Sequence, residues 1–439
     1  MANLVDVLKA SRNLSASDVF FKVGSPPAAR IDGTLRFLGR DPITREDNNK
    51  IFETVGDKYI ETIFRKNHEA DTSLEIEGVG RFRVNMFMQR GEIGFVMRLV
   101  QEIIPSFEDL ALPSDGLKAL AERPRGLVLV TGIAGSGKST TLAAMVEYLN
   151  KNHSKHVITI EDPIEYVYHD ENCIIDQREI GLDTRDFTTA LKNVVRQSPD
   201  VILIGEMRDM ETMSAAIAAA ETGHLVFSTL HTVDAKQTVE RIIHYFPPHQ
   251  HQLIKLQLAL NLEGVISQRL LKRRDRGGRV PAVELMITSP TIRTLIEEGR
   301  TNELYPAIRE GAYFGCQTFN QSLIKWIQKG VISVDDACDA ADNGEELRME
   351  LKGIVKGGAG AADFNLTKPD AKPAGTPGTP ASEPQCQAAP PAPPPAGDAP
   401  AGTGRIIRGA PPAGQPVPQP QAPGRSWNPT PGGPRKTTP

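Results

Sequence analysis

Cysteine is scarce in this sequence, and its few residues are not spaced for a disulfide or metal framework. The chain has 439 residues and 4 cysteines, and no two of these form a CxxC pair. Their positions are Cys173, Cys316, Cys338 and Cys386. Structural zinc sites and disulfide frameworks are recognised by paired spacings. We therefore expect a reduced, cytosolic protein without zinc, long enough to bury a core without such cross-links.

Long apolar runs are also missing. No stretch reaches the ~20 apolar residues that a membrane-spanning helix needs, and the most apolar segment, 213–230, is interrupted by Glu221 and His224. The opening residues MANLVDVLKASRN lack the apolar core of a signal peptide. We predict no transmembrane segment, so membrane association would come through partners. The net charge of −4 gives no reason to expect nucleic acid as a partner.

The last part of the chain has too few large apolar residues for a core. From about Gly353 its composition is dominated by Pro, Ala and Gly, with segments such as PPAPPPAGDAP. Such a segment cannot bury enough apolar surface to offset its ordering entropy. Residues 353–439 are therefore predicted to be a disordered tail. The alternative is a polyproline II ligand for an SH3-like or WW-like groove.

The rest of the sequence indicates two folded regions. Residues 1–104 combine a helix with short β-type runs separated by turn signals, which predicts an α+β domain. Residues 105–124 are polar and bounded by prolines, which is typical of a linker. In residues 125–352, apolar strands first alternate with helical stretches, which predicts an α/β domain with a parallel sheet covered on both faces. A mostly helical region is predicted from Ala235 to about Leu351.

A glycine-rich sequence follows the first strand of this α/β region. Residues 132–139, GIAGSGKS, match the P-loop pattern GxxxxGK[ST] in full. Its glycines let successive backbone N–H groups converge on phosphate oxygens, its lysine reaches the β- and γ-phosphates, and its hydroxyl residue ligates Mg²⁺. A ligand-free glycine-rich turn is the alternative. We predict ATP and Mg²⁺ binding at Gly132, Gly135, Ser136, Gly137, Lys138, Ser139 and Thr140.

Two further predicted strands end in acids. HVITI runs into Glu161 and Asp162, and VILIG runs into Glu206. Ligands of parallel sheets gather at the carboxyl ends of strands, and phosphoryl transfer needs carboxylates for the metal and for the attacking water. We predict Glu161 and Glu206 as catalytic residues, with Glu206 and Ser139 at the metal. Asp162, which precedes Pro163, could instead cap a following helix.

A histidine stands at each end of the next apolar strand, LVFSTL. His224 precedes this strand and His231 follows it. One interpretation is that both contact or sense the γ-phosphate. The other is that they are structural histidines with local hydrogen bonds, which is the commoner situation for a histidine at a strand end.

The order of these motifs resembles that of a known family. GIAGSGKSTT, ITIEDPIEY, RQSPDVILIGEMRD and ETGHLVFSTLHT stand in the order of the Walker A, Asp box, Walker B and His box motifs of the secretion and pilus ATPases. Residues 16–33 resemble the start of that family's PAS-like N-terminal domain. Residues 314–333 resemble the C-terminal helical region of the type IV pilus retraction ATPases, PilT and PilU. The resemblance covers about residues 3–350.

This resemblance implies a fold, an activity and partners. The fold would be a PAS-like domain followed by a RecA-like ATPase domain. The chain would form a homo-hexamer in the cytoplasm, peripheral to the inner membrane, and drive pilus retraction through an inner-membrane platform protein. A paralogous retraction ATPase is a further candidate partner. Glu161 would be the Asp-box glutamate, Glu206 the Walker B acid, and His224 and His231 the His-box pair.

The same resemblance gives the N-terminal domain a part in the site. Arg81 and Arg83, in RFRVN, match a basic segment whose arginines reach nucleotide at the subunit boundary in this family. The motif does not decide whether they act within one chain or across two. A solvated strand face is the other interpretation of an alternating R-x-R pattern.

Two observations favour the retraction branch of the family. The tetracysteine zinc element of the extension ATPases is absent, and TIRTLIEE at residues 291–298 matches the retraction helix AIRNLIRE with three departures. Ser289 and Pro290 predict the start of this helix and Gly299 its end. A nucleotide-gated accessory scaffold and an assembly or secretion ATPase remain the alternatives.

Overall fold

The computed structural model describes residues 4–31 and 33–353 of the chain. The predicted disordered tail lies outside these residues from position 354 onward. Within the described ranges, no helix combines the length and the apolar character needed to cross a membrane. Two sheets, each with its own buried apolar core, form the framework of this part of the chain.

The first sheet is antiparallel and belongs to residues 4–104, which we call the first domain. Its strand order is β3-β2-β1-β6-β5-β4. The strands are β1 (Asp18–Phe21), β2 (Ala28–Ile31), β3 (Thr34–Phe37), β4 (Glu69–Ile76), β5 (Gly80–Gln89) and β6 (Glu92–Leu99). The helices are α1 (Leu4–Asn13), α2 (Arg45–Val55) and α3 (Lys58–Asn67). The arrangement is α+β, as the turn signals predict, and the narrower PAS-like assignment stays a prediction.

Local sequence explains why these elements form. In β4, exposed and buried positions alternate, which is the pattern of a strand with one face on a core. The side chain of Asp57 accepts hydrogen bonds from the first backbone N–H groups of α3 and so caps that helix. Between β5 and β6, Arg90 and Gly91 both have positive φ, at 50° and 78°, which closes a tight two-residue hairpin.

The second sheet belongs to residues 105–353, which we call the second domain. Its strand order is β13-β12-β7-β11-β10-β8-β9, and all neighbours are parallel except β12 and β13. Its strands are β7 (Gly126–Thr131), β8 (His156–Glu161), β9 (Ile174–Glu179), β10 (Val201–Ile204), β11 (Leu225–Leu230), β12 (Leu262–Lys272) and β13 (Arg279–Ile287). Every residue of β7, β10 and β11 is buried, which explains their continuous apolar sequences.

Helices cover this second sheet. They are α4 (Ser114–Ala121), α5 (Lys138–Asn152), α6 (Phe187–Val194), α7 (Met210–Glu221), α8 (Ala235–Tyr245), α9 (His251–Asn261), α10 (Pro290–Glu298), α11 (Leu304–Glu310), α12 (Phe319–Gln328), α13 (Val334–Ala340) and α14 (Gly344–Leu351). Short 3₁₀ helices lie at Pro248–Gln250, Thr301–Glu303 and Gly311–Phe314.

The prediction of a mostly helical region after Ala235 is wrong in part. Strands β12 and β13 form a long antiparallel hairpin in that region, and β12 extends the sheet beside β7. The sequence signal was two apolar runs separated by the polar, glycine-containing turn RRDRGG. Strand β9 was also not predicted, because it lies at the sheet edge and its sequence IIDQRE is largely polar, with only its last residue fully buried.

The prediction that residues 105–124 form a linker also needs correction. This segment contains α4, whose Leu117, Leu120 and Ala121 lie in the core of the second domain. At Gly116 an added Cβ would come within 2.4 Å of the Leu285 side chain, so α4 packs closely on β13. We assign the segment to the second domain on this packing.

The helix predicted at residues 290–298 is confirmed. The Ser289 side chain accepts a hydrogen bond from the Ile292 backbone, and Gly299 ends the helix with a φ of 76°. Its apolar stripe of Ile292, Leu295 and Ile296 is buried. Arg293 donates to the carbonyl oxygen of Leu260 at 3.2 Å and so joins this helix to the end of α9.

Candidate nucleotide-binding site

The glycine-rich loop connects a fully buried strand to a helix. It leaves β7 at Thr131 and enters α5 at Lys138. Gly132, Gly135 and Gly137 all have positive φ, between 76° and 144°, a region that other residues rarely adopt. At Gly132 an added Cβ would lie 2.5 Å from a backbone oxygen of β12, so only glycine fits there. The loop conformation therefore follows directly from the motif.

The loop has the features of an anion site. No side chain caps the first N–H groups of α5, which face the loop at the positive end of the helix dipole. Ser136 is buried, and its Oγ has no hydrogen-bond partner among the described residues. A buried hydroxyl without a partner is costly unless a ligand satisfies it. These residues fit a bound phosphate group.

Lys138 lies folded back on the loop. Its Nζ donates to the carbonyl oxygens of Gly132 at 2.9 Å and Ile133 at 3.2 Å. Burial lowers the pKa of this lysine, and the negative charges of Glu206 and Glu165 oppose that change. The cation is thus held near two acids at the mouth of the loop.

The carboxyl ends of the parallel strands converge on this loop, as predicted. Gly135, Lys138 and Ser139 share a cavity of about 270 Å³ with residues at the carboxyl ends of three neighbouring strands. Those residues include Glu161 at the end of β8, Glu206 after β10 and His231 after β11. The sheet order places these strand ends side by side.

Glu206 and His231 are in direct contact. His231 Nε2 lies 3.1 Å from Glu206 Oε1, and Arg208 Nε donates to the other carboxylate oxygen at 2.9 Å. Arg208 also approaches Asp162 at 4.0 Å. Glu206 therefore lies between a histidine and an arginine at the edge of the cavity.

The Glu161 carboxylate accepts hydrogen bonds from three neighbouring groups. Its Oε1 accepts from Thr159 Oγ1 at 2.6 Å and from Gln177 Nε2 at 3.3 Å, and its carboxylate also accepts from the Glu165 backbone N–H. Burial raises the pKa of Glu161 to about 7, although these hydrogen bonds lower it. Through the hydrogen bond from the Glu165 backbone, this side chain holds the segment that follows β8.

That segment, residues 162–173, is irregular, and we call it the β8–β9 loop. The alternative role of Asp162 as a helix cap is wrong, because strand β9 and not a helix follows the loop. The loop also brings Glu165 into the cavity, where its charge acts on Lys138 and Glu161. Sequence analysis missed Glu165, although it is the second glutamate of the EDPIE motif.

A hydrogen bond connects the β8–β9 loop to α5, the helix that follows the P-loop. Thr140, predicted as a nucleotide-binding residue, has its Oγ1 2.9 Å from the hydroxyl of Tyr166. Tyr166 and Tyr168 line the cavity beside Lys138. The β8–β9 loop therefore contacts the helix that carries the lysine.

His224 is not brought to this cavity. It lies at the opposite end of β11 from His231, about 20 Å away for a six-residue strand. Its Nδ1 lies 3.0 Å from the carbonyl oxygen of Ala219 and 3.2 Å from Thr222 Oγ1. Within one chain it has the contacts of a structural histidine.

The two arginines of β5 also lie outside the cavity. Arg81 Nη2 donates to Glu179 Oε2 of the second domain and to Ser73 Oγ, both at 2.9 Å. Arg83 is exposed and lines a separate cavity of about 110 Å³ with Asp162 and Pro163, between the two domains. In one chain, Arg81 thus contacts the end of β9, and Arg83 lies beside the start of the β8–β9 loop.

No group of three or more His, Cys, Asp or Glu side chains within residues 4–31 and 33–353 is arranged to hold a metal ion. This arrangement does not exclude Mg²⁺ in a nucleotide site, because Mg²⁺ is bound there by one or two protein ligands together with waters and substrate phosphates. Ser139 and Glu206 both line the cavity and are the residues that could serve.

Comparisons with known proteins show the family to which this chain belongs. Residues 65–337 match the family described as type II/IV secretion system protein. The chain is 43% identical over 336 residues to the type IV pilus ATPase PilU of Pseudomonas aeruginosa, covering 76% of this chain and 88% of that one. It is 42% identical over 340 residues to the type IV pilus retractation ATPase PilT of the same organism, covering 77% and 98%. A crystal structure of the pilus retraction motor PilT with bound ADP superposes with a TM-score of 0.74 at 44% identity, covering 79% of this chain and 99% of that one.

Proposed function

Because the chain belongs to the type II/IV secretion system protein family, as an ATPase of its type IV pilus retraction branch, we propose that it works as a homo-hexameric motor at the inner membrane. The motor hydrolyses MgATP in the P-loop cavity and pulls on the pilus through an inner-membrane platform protein. The observation that carries this proposal is the meeting of Lys138, Glu206 and His231 in one cavity of a chain so similar to retraction ATPases.

The P-loop binds the phosphates in this mechanism. The backbone N–H groups of the loop and the start of α5 surround the β- and γ-phosphates. Lys138 leaves the carbonyl oxygens that it contacts and turns to the γ-phosphate. Mg²⁺, when bound, neutralises charge that develops on the phosphate oxygens, and Ser139 and Glu206 are the residues that would hold it.

Two glutamates are candidates for orienting the attacking water. Glu161 is the prediction from the motif, but its carboxylate already accepts three hydrogen bonds. Glu165 lines the cavity and acts electrostatically on Lys138. A general base must reach the water in a geometry that its other contacts leave open. We therefore propose Glu165 as the water-orienting residue and Glu161 as the residue that positions its loop.

His231 completes the arrangement at the edge of the cavity. His231 contacts Glu206, so its position would change when Mg²⁺ or the γ-phosphate moves that carboxylate. The His231 side chain is also half exposed, so it could contact a neighbouring subunit. His224, Arg81 and Arg83 stay candidates for nucleotide contact only across a subunit boundary. The chain is 43% identical to PilU and 42% identical to PilT, and this small difference does not favour a principal motor over an accessory paralogue.

The proposal is tested on the purified chain with MgATP. We expect steady-state release of phosphate and a particle of six times the chain mass by light scattering. A protein that binds ATP without turnover would support the nucleotide-gated scaffold instead. A stable monomer under turnover conditions would contradict the ring.

A further inference from the structure

Two carboxylates hold consecutive backbone groups of the β8–β9 loop. Glu179 Oε2 lies 3.4 Å from the backbone nitrogen of Ile164, and Glu161 accepts from the backbone of Glu165. Strands β8 and β9 pair in parallel with Glu161 directly opposite Glu179. The two acids therefore stand side by side at the strand ends and together fix the start of the loop.

The charge of Glu179 is balanced from the other domain. Its side chain is 6% exposed, and the cation nearest to it is Arg81 of β5, at 2.9 Å. A carboxylate removed from water is costly unless a cation and hydrogen bonds replace the lost solvation. The orientation of Glu179, and with it the Ile164 contact, thus depends on where the first domain places Arg81.

A second contact joins the same loop to the chain that leaves the first domain. The backbone N–H of Val167 donates to the carbonyl oxygen of Gln101 at 3.0 Å, next to a bridge between Gln101 and Tyr166. On its other side, Tyr166 contacts Thr140 of the P-loop helix. The β8–β9 loop therefore lies between the first domain and the P-loop, with attachments to both.

We propose that Arg81 and Glu179 form a positioning pair within one chain, which transmits the position of the first domain to the β8–β9 loop and so holds Glu165 at the nucleotide cavity. This inference rests on the proposed role of that loop in hydrolysis. It gives Arg81 a partner other than nucleotide. A movement of the first domain that separates Arg81 from Glu179 releases the loop and slows turnover, without removing any phosphate contact.

The test uses the full chain with Arg81→Met, Glu179→Gln and the double variant. Each single change should lower kcat about tenfold, the order expected when a reacting group is misplaced. The double variant should be no slower than the worse single one, because the two residues act as one unit. The Kd for MgADP should stay within about twofold of the wild-type value, since no phosphate ligand is lost.

A second readout follows the loop itself. Backbone hydrogen exchange of residues 162–168 should become faster in Arg81→Met, and Arg81→Lys should restore part of the protection because it keeps the cation. Arg45→Met is the matched control, because Arg45 pairs with Glu92 on the surface of the first domain. It should change neither exchange of the loop nor kcat.

Three results would overturn the proposal. One is weaker MgADP binding in Arg81→Met with normal turnover in Glu179→Gln, which would make Arg81 a nucleotide ligand. Another is unchanged exchange of residues 162–168. The third is faster exchange with unchanged kcat, which would separate the loop from hydrolysis. Failure of the proposed function looks different, because the unchanged chain would then release no phosphate from MgATP.

Discussion

The P-loop and the β8–β9 loop line the same cavity, but different parts of the chain hold them. The P-loop takes its conformation from its own glycines and from the strand and helix on either side. The β8–β9 loop is held by side chains and backbone groups far away in sequence, including Arg81 and Gln101. The first loop is thus a local structure, whereas the second depends on the relation between two domains. With the proposed role of Glu165, this difference would separate a locally fixed phosphate site from a water-orienting loop whose position depends on the first domain.

Removal of the P-loop lysine should give the largest effect. Lys138→Ala is expected to lower ATP turnover by at least about 10²-fold, because the other cation that lines the cavity, Arg208, is paired with Glu206 and does not lie on the P-loop. The fold should persist, since α5 has many other buried residues. Steady-state phosphate release measures the turnover, and circular dichroism shows whether the fold persists. Lys151→Ala, at the far end of the same helix and paired with Glu147 on the surface, is the control and should turn over normally.

The second-largest effect on turnover is expected from the loss of the Glu206 carboxylate. Glu206→Ala should cost about 10²-fold in kcat, because it removes the carboxylate proposed for the metal and releases His231 and Arg208. Raising the Mg²⁺ concentration should recover part of the activity. Glu211→Ala, an exposed acid in the first turn of α7, should have no effect. Wild-type turnover in Glu206→Ala would remove this residue from the site.

Substitutions of Glu161 and Glu165 test which residue of the β8–β9 segment acts on the attacking water. Glu165→Gln should cost about 10²-fold in kcat if it orients water, whereas Glu161→Gln should cost clearly less because an amide can still accept some of its hydrogen bonds. Turnover of both variants is measured at saturating MgATP. Glu171→Gln, an exposed position of the same loop, serves as the control. The opposite order of effects would return the water-orienting role to Glu161.

A smaller effect is expected from pH. Ionised Glu161 accepts the hydrogen bonds that hold the loop, and its pKa is raised to about 7, so kcat/KM for ATP should rise with pH through that range. Thr159→Val removes one of these donors and should move this rise to higher pH, by up to about one pH unit for one hydrogen bond. An unmoved pH profile in Thr159→Val would show that Glu161 does not control it.

The same pKa has a consequence for stability. From the ordinary value of 4.5 up to about 7, the folded chain binds a proton on Glu161 that the unfolded chain has lost. The free energy of unfolding should therefore fall as pH rises through this window, and Glu161→Gln should flatten that dependence. Glu284, whose pKa burial raises to about 8, is the matched case outside the cavity. Glu284→Gln should flatten the stability curve up to pH 8 but leave the pH profile of kcat/KM unchanged.

The local features of this molecule could be predicted from sequence. The P-loop, the helix at 290–298 and the strand ends that bring Glu206 to the cavity each depend on residues within one short segment. The family and its ATPase activity followed from the order of these motifs, and the comparisons agree.

What sequence analysis missed depends on distant contacts. Arg81 and Glu179 stand 98 positions apart, and nothing near either residue indicates the other. His224 was placed with His231 because they flank one strand, yet a strand separates its two ends by its full length. Glu165 was missed because the strand ends before it, so only the folded loop brings it into the cavity.

The most direct test of the whole account counts surface pili in the strain that encodes the chain, with Lys138→Ala as the only change. The account predicts more surface pili than in the parent strain and no twitching motility, because pili would extend normally but could not be retracted. A strain with fewer pili would contradict it and indicate an assembly ATPase. Normal pili with normal twitching would show that hydrolysis at this P-loop does not drive retraction.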